Sequence, residues 1–126
     1  MANDQSPLVV SFTAILGRIA VIARKALGFK QGPVAKELGI AQASYSKIER
    51  GATCMTIEYL VALAGVFDML PHELVQEAEK AAEHLQEQGI EVVATREETQ
   101  GRLLLEGSAL EKLIEEALKS EENEED

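Results

Sequence analysis

The chain has 126 residues, 46% of them hydrophobic, and a formal net charge of −10. That length bounds it to one domain with an appendage, and the apolar content is that of a globular protein. Aromatic residues at 4%, with no Trp, argue against a stacking platform for single-stranded nucleic acid. A single cysteine excludes an internal disulfide and fits a reducing cytoplasm, the expected location. The apolar run from Leu8 to Ala23 is broken by Arg18 and preceded by Asp4. It falls short of the about 20 uncharged residues a membrane span requires, so no membrane association is expected.

The charge is unevenly placed. From Leu8 to Leu70 seven Lys/Arg face four acids, a balance of +3, whereas from Pro71 to Asp126 five face seventeen, a balance of −12. Asp4 supplies the remaining negative charge. A basic half followed by an acidic one predicts separate jobs for the two.

In chain order, Ser6 is the expected N-cap of a first helix and Pro7 suits its first position. Leu8, Phe12, Ile15, Ile19, Ile22 and Ala26 recur at helical spacing as a core-facing stripe, and Gly28 is placed to end it. Two short helical patterns follow, Pro33 to Leu38 and Gln42 to Arg50, meeting at Gly39. Val34 and Leu38 share one face of the first, and Tyr45 and Ile48 one face of the second. Gly39 permits the left-handed backbone of a tight turn, Ile40 fills the angle, and small Ala35 lets the helices cross closely. Gln42, Ser44, Ser46, Lys47 and Arg50 then point outward, offering amide, hydroxyl and cationic groups suited to base edges and phosphates.

This stretch resembles the phage repressor/Cro-like (XRE) helix-turn-helix family. The resemblance is carried by Gln31, Ala35, Gly39, Ile40, Gln42, Ser46, Ile48, Glu49 and Gly51, and it extends from about Leu16 to about Leu74. It implies that Gln42 to Arg50 is a recognition helix and that Arg24 pairs with Glu49, fixing geometry near the core. Two departures bear on local stability. Ala41 stands where a capping Ser is usual and Lys30 where Ser or Thr is common, each a loss of about 1 kcal/mol. Gly32-Pro33 replaces the usual polar pair, which proline tolerates in a first turn but which puts the placement of Gln31 in question.

Thr56 is the expected cap of a fourth helix, Ile57 to Phe67, and Pro71 starts a fifth running to Gln88. Cys54 lies in the loop before the fourth helix and reads as a silent thiol, lacking a resolving cysteine or an adjacent basic residue. His72 and His84 are too isolated to argue for metal. No phosphate loop, dinucleotide fingerprint or nucleophile motif occurs, so an enzyme, a metal and a cofactor are not expected. After Gly89, the runs Ile90 to Thr95 and Leu103 to Leu105 predict a short β-hairpin, with a broken helix as the alternative. Ser108 and Glu111 make a capping box for a last helix whose Leu110, Leu113, Ile114, Ala117 and Leu118 form one apolar stripe. That stripe must cover its own domain or a second copy. Glu121 to Asp126 is nearly all acid and is expected to be disordered.

The expected architecture is mostly α-helical: a five-helix DNA-binding domain over residues 1–88, an extension over 89–120 that mediates dimerisation, and a tail over 121–126. The expected function is a transcriptional regulator bound to double-stranded DNA as a homodimer. Gln42 is the expected adenine reader, tuned by Ala43 or by the hydroxyls of Ser44 and Tyr45, with Gln31, Ser46, Lys47 and Arg50 on phosphates. The rival reading is an antitoxin-like or anti-regulator module that keeps the fold and binds a protein partner through its acidic half.

Overall fold

A computed structural model describes residues 8–124 of the chain, with side chains from 8 to 120. Ser6 and Pro7, the expected cap and first helical residue, lie outside the described residues. The chain enters instead as a strand, β1 (Val9–Ser11), and the first helix α1 (Phe12–Ala26) begins three residues later than Val9. Ser11 is the actual cap: its hydroxyl accepts from the Ala14 N–H at 3.1 Å. The β-branched pair Val9 and Val10 is fully buried, which favours a strand over a helical first turn.

The next four helices fall where the sequence places them: α2 (Gln31–Leu38), α3 (Gln42–Glu49), α4 (Ile57–Val66) and α5 (Pro71–Glu87). Gly39 takes the left-handed conformation between α2 and α3, at φ 74°. The Thr56 hydroxyl caps α4 by accepting from the Tyr59 N–H at 3.1 Å. The Glu73 carboxylate caps α5 by accepting from the Leu70 N–H at 2.8 Å. Neither Lys30 nor Ala41 makes a side-chain cap, as their types foretold.

After Gly89 the expected hairpin does not form. Strand β2 (Glu91–Val93) pairs in parallel with β1, in the register Val9 to Glu91 and Ser11 to Val93. The Leu103 to Leu105 run also turns to β1: the Val9 N–H donates to the Leu103 carbonyl, and the Leu105 N–H to the Val9 carbonyl, both at 2.9 Å. The two runs thus flank the N-terminal strand rather than each other. The helices α1 to α5 form the crossover that the parallel pair requires, and a 3-10 turn (Arg96–Thr99) lies in the connection from β2 to Leu103.

The last helix, α6 (Gly107–Glu124), runs four residues into the stretch expected to be disordered; residues 125 and 126 lie outside the described residues. The Ser108 capping box does not form. The Glu111 carboxylate turns away to Arg18 and Lys25, at 3.3 and 3.4 Å. The apolar stripe of α6 closes its own domain: Leu110, Ile114 and Ala117 are buried, and the helix packs on α1 and α5. One core joins Ile15 and Ile19 of α1, Leu63 of α4 and Leu85 of α5 to Leu110 and Ile114. The architecture is therefore mostly helical, with a helix-turn-helix at one end and the extension folded onto the back of α1.

Candidate nucleic-acid interface

Helix α3 has two sides of opposite character. Tyr45, Ile48 and Glu49 are buried, while Gln42, Ala43, Ser44, Lys47 and Arg50 are exposed and Ser46 is half-buried. This division follows from helical spacing, since residues three and four apart share a face. The exposed side carries an amide, a hydroxyl and two cations. The Arg50 Nη1 donates to the Ser46 Oγ at 3.1 Å, so these two act together. Gln42 sits beside α2: a Cβ added at Gly32 would meet its Oε1 at 3.5 Å, an ordinary contact.

The buried side holds α3 in place. Arg24 of α1 grips the Glu49 carboxylate with two hydrogen bonds, Nε to Oε2 at 2.7 Å and Nη2 to Oε1 at 3.1 Å. The pairing that the resemblance implies is thus formed, and it is well shielded, with side-chain exposures of 11% and 2%. The Gln31 Nε2 donates to the same Oε1 at 2.7 Å. The Arg24 Nη1 reaches the Phe29 carbonyl at 3.0 Å, so one guanidinium ties α1, the loop before α2 and α3 together. Burial opposes ionisation of Glu49, but the hydrogen bonds from Arg24 and Gln31 outweigh it and hold the carboxyl below its ordinary range. Burial, and then the Glu49 carboxylate, push the Tyr45 phenol well above its ordinary range.

One expectation changes here. Tyr45 is fully buried, so its hydroxyl cannot touch a base; it belongs to the core face that it shares with Ile48. Gln31 donates one amide N–H to Glu49, a contact that braces α3 from α2.

Sequence reasoning also passed over two residues that fix α3. Arg18 donates twice to the Glu49 carbonyl, from Nη2 at 2.6 Å and Nε at 3.1 Å, while its Nη1 reaches Glu111 at 3.3 Å. A cation at the C-terminal end of a helix satisfies a free carbonyl and complements the dipole. Gly17 lies where α1 crosses α3: a Cβ there would stand 2.6 Å from both the Ile48 and Glu49 carbonyl oxygens. A glycine in mid-helix costs about 1 kcal/mol relative to Ala, and that cost is the signal that marks such a close approach.

Cys54 is exposed and unpaired to another cysteine. Among the described residues no cluster of His, Cys, Asp and Glu is arranged to hold a metal ion, and no helix is long and apolar enough to cross a membrane.

Residues 22–74 match the family model described as Helix-turn-helix. Among solved structures, the chain is similar to the restriction-modification controller protein C.AhdI from Aeromonas hydrophila. The two share 26% identity at a TM-score of 0.47, over 49% of this chain and 94% of that one. No curated protein sequence matches the chain. The matched segment takes in α2, α3 and α4 together with the Arg24 to Glu49 clamp. Over residues 22–74 the chain is thus similar to helix-turn-helix domains.

Proposed function

We propose that the protein is a sequence-specific, DNA-binding transcriptional regulator that lays α3 in the major groove. The observation that carries this reading is the exposed row Gln42, Ala43, Ser44, Lys47 and Arg50 on a helix whose opposite side is clamped by Arg24, Gln31 and Arg18. A reading helix must be held rigidly, and this one is anchored both at its side chains and at its last carbonyl. Gln42 can donate and accept at once, the pattern that adenine presents in the major groove. Ala43 and Ser44, next along the helix, tune the neighbouring base, and Ser46, Lys47 and Arg50 serve phosphates. The first amides of α2 and α3, which no side chain caps, add donors of the kind that phosphate oxygens take. Selection of bound duplexes from a random-sequence pool tests the reading. An enriched, roughly palindromic site is expected; an empty selection with a recovered protein partner would favour the antitoxin-like alternative.

Within that reading, Gln42→Ala should weaken cognate binding by about 1–3 kcal/mol and leave random-sequence binding unchanged. Lys47→Ala should weaken both alike and lower the salt slope by about one unit. Titrations against cognate and scrambled duplexes at several salt concentrations decide this, and equal losses for Gln42→Ala would remove it from the base-reading set.

The protein is proposed to act as a homodimer, with two α3 helices about 34 Å apart in successive major grooves. The expected contact through the segment after Gly89 rested on the apolar stripe of α6, which the fold buries within the chain. The exposed apolar residues of α4 take its place: Ile57 at 73% and Val61 at 50% exposure, four residues apart on one face, with Leu70 nearby in sequence at 57%. Val61→Glu should convert a dimer into a monomer in light scattering, with its helical circular dichroism unchanged. A wild-type chain that is monomeric at micromolar concentration would end the dimer proposal.

A further inference from the structure

Arg96 belongs to the acidic half of the chain, yet the fold brings it to the exit of the recognition helix. Its Nη1 donates to the Ala52 carbonyl at 3.1 Å, across 44 residues of sequence. The Ala52 N–H in turn donates to the Lys47 carbonyl at 2.9 Å, so this loop is continuous with the end of α3. Arg96 and Arg50 line the same surface cleft, together with Gly51, Ala52, Thr99 and Glu106. Both guanidiniums are exposed, and among the described residues neither is paired with a carboxylate. Ala52 takes one of the five N–H donors of Arg96.

The turn that carries Arg96 is fixed locally. The Glu98 carboxylate accepts from the Thr95 N–H and hydroxyl at 3.1 and 3.0 Å, which occupies that acid. The buried Thr99 hydroxyl donates to the Arg96 carbonyl at 2.5 Å. Glu106 is the acid in the cleft that opposes an anion, set against two arginines. Arg102 provides a contrast in the same extension, since it is paired with Glu91.

We propose that Arg96 and Arg50 together hold a phosphate of the DNA backbone beside the groove that α3 enters, so that the acidic extension itself takes part in DNA binding. The proposal rests on the DNA-binding reading above and deepens it. A phosphate contact carries no sequence information, and its signature is electrostatic. Each contact steepens the plot of log affinity against log salt by about 0.9.

Full-length Arg96→Ala, Arg96→Lys and Arg102→Ala are compared with wild type on a cognate and a random duplex between 50 and 200 mM salt. Arg96→Ala is expected to weaken binding several-fold to both duplexes and to flatten the slope by about 0.9. Its deficit should therefore shrink by about 3-fold across that range. Arg96→Lys should keep the slope, because the charge remains, and Arg102→Ala should behave as wild type. An unchanged slope for Arg96→Ala would overturn the proposal. So would equal slope losses for Arg96→Ala and Arg102→Ala, which reflect net charge alone. Equal losses for Arg96→Ala and Arg96→Lys, with lowered melting temperatures, would reduce Arg96 to an anchor on the Ala52 carbonyl. A wild-type chain that binds no duplex would bring down the DNA-binding reading and this proposal with it.

Discussion

Gly17→Ala is expected to loosen α3 and destabilise the protein by about 2–4 kcal/mol, although it adds a single methyl group to a helix. Alanine is the better helix former by about 1 kcal/mol, so local propensity predicts the opposite sign. Packing decides against it. The new Cβ would stand 2.6 Å from the Ile48 and Glu49 carbonyl oxygens, and both are backbone atoms that cannot rotate away. Strain from overpacking a dense site is about 1–3 kcal/mol. Displacing α3 also stretches the two bonds from Arg18 to the Glu49 carbonyl, each a charged hydrogen bond worth about 1.5–3 kcal/mol when intact. Thermal unfolding should show a melting temperature lower by about 10 °C. Cognate DNA affinity of the folded protein should fall as well, because the same displacement moves Gln42 and Lys47. A melting temperature at or above wild type would mean that α1 and α3 do not cross at this glycine.

The helix-turn-helix was legible because its information is local. Gly39 as the turn, Val34 and Tyr45 as core positions, and Thr56 as a cap each follow from neighbours a few residues away. The Arg24 to Glu49 clamp spans 25 residues and was reached only through the family resemblance. The outward positions of α3 are exposed except Ser46, which is half-buried, and the Tyr45 hydroxyl, weighed for its polarity, lies inside, where its spacing from Ile48 places it.

The extension was misread for the opposite reason. Its runs at Ile90 and Leu103 carry strand propensity but no information about the partner, and the nearest partner in sequence was each other. The structure gives both to Val9, whose own reading as helix came from a stripe that continued one turn too far. Charge patterning suggested that the acidic half does a separate job. The Glu111 to Arg18 contact, the buried face of α6 and the Arg96 bond to Ala52 tie that half physically to α1, α5 and the loop after α3. Such contacts lie 44 to 93 residues apart in sequence, beyond the reach of periodicity.

Glu49→Ala is expected to cost about 3–5 kcal/mol, since it removes one partner of a shielded ion pair and leaves the Arg24 guanidinium without its carboxylate. The effect should be strongly non-additive. With Arg24 already replaced by Met, removing the carboxylate should cost far less, because the uncompensated charge is gone. A double-mutant cycle by chemical denaturation measures that coupling. The pH dependence gives a second, independent handle. Hydrogen bonds from Arg24 and Gln31 hold the folded carboxyl below the ordinary value of 4.5, despite burial that acts in the other direction. Its contribution to stability is therefore fully present above that unfolded value and is lost as pH falls through the lower folded one. Wild type and Glu49→Gln should differ by a constant amount from neutral pH down to about pH 4.5, and their difference should narrow below it. Other carboxylates titrate in the same window, but they do so in both proteins and cancel in the comparison. A difference that stays constant to pH 2, or that narrows above pH 6, would show that Glu49 is not the ionised centre of the clamp and that α3 is held by Arg18 and packing alone.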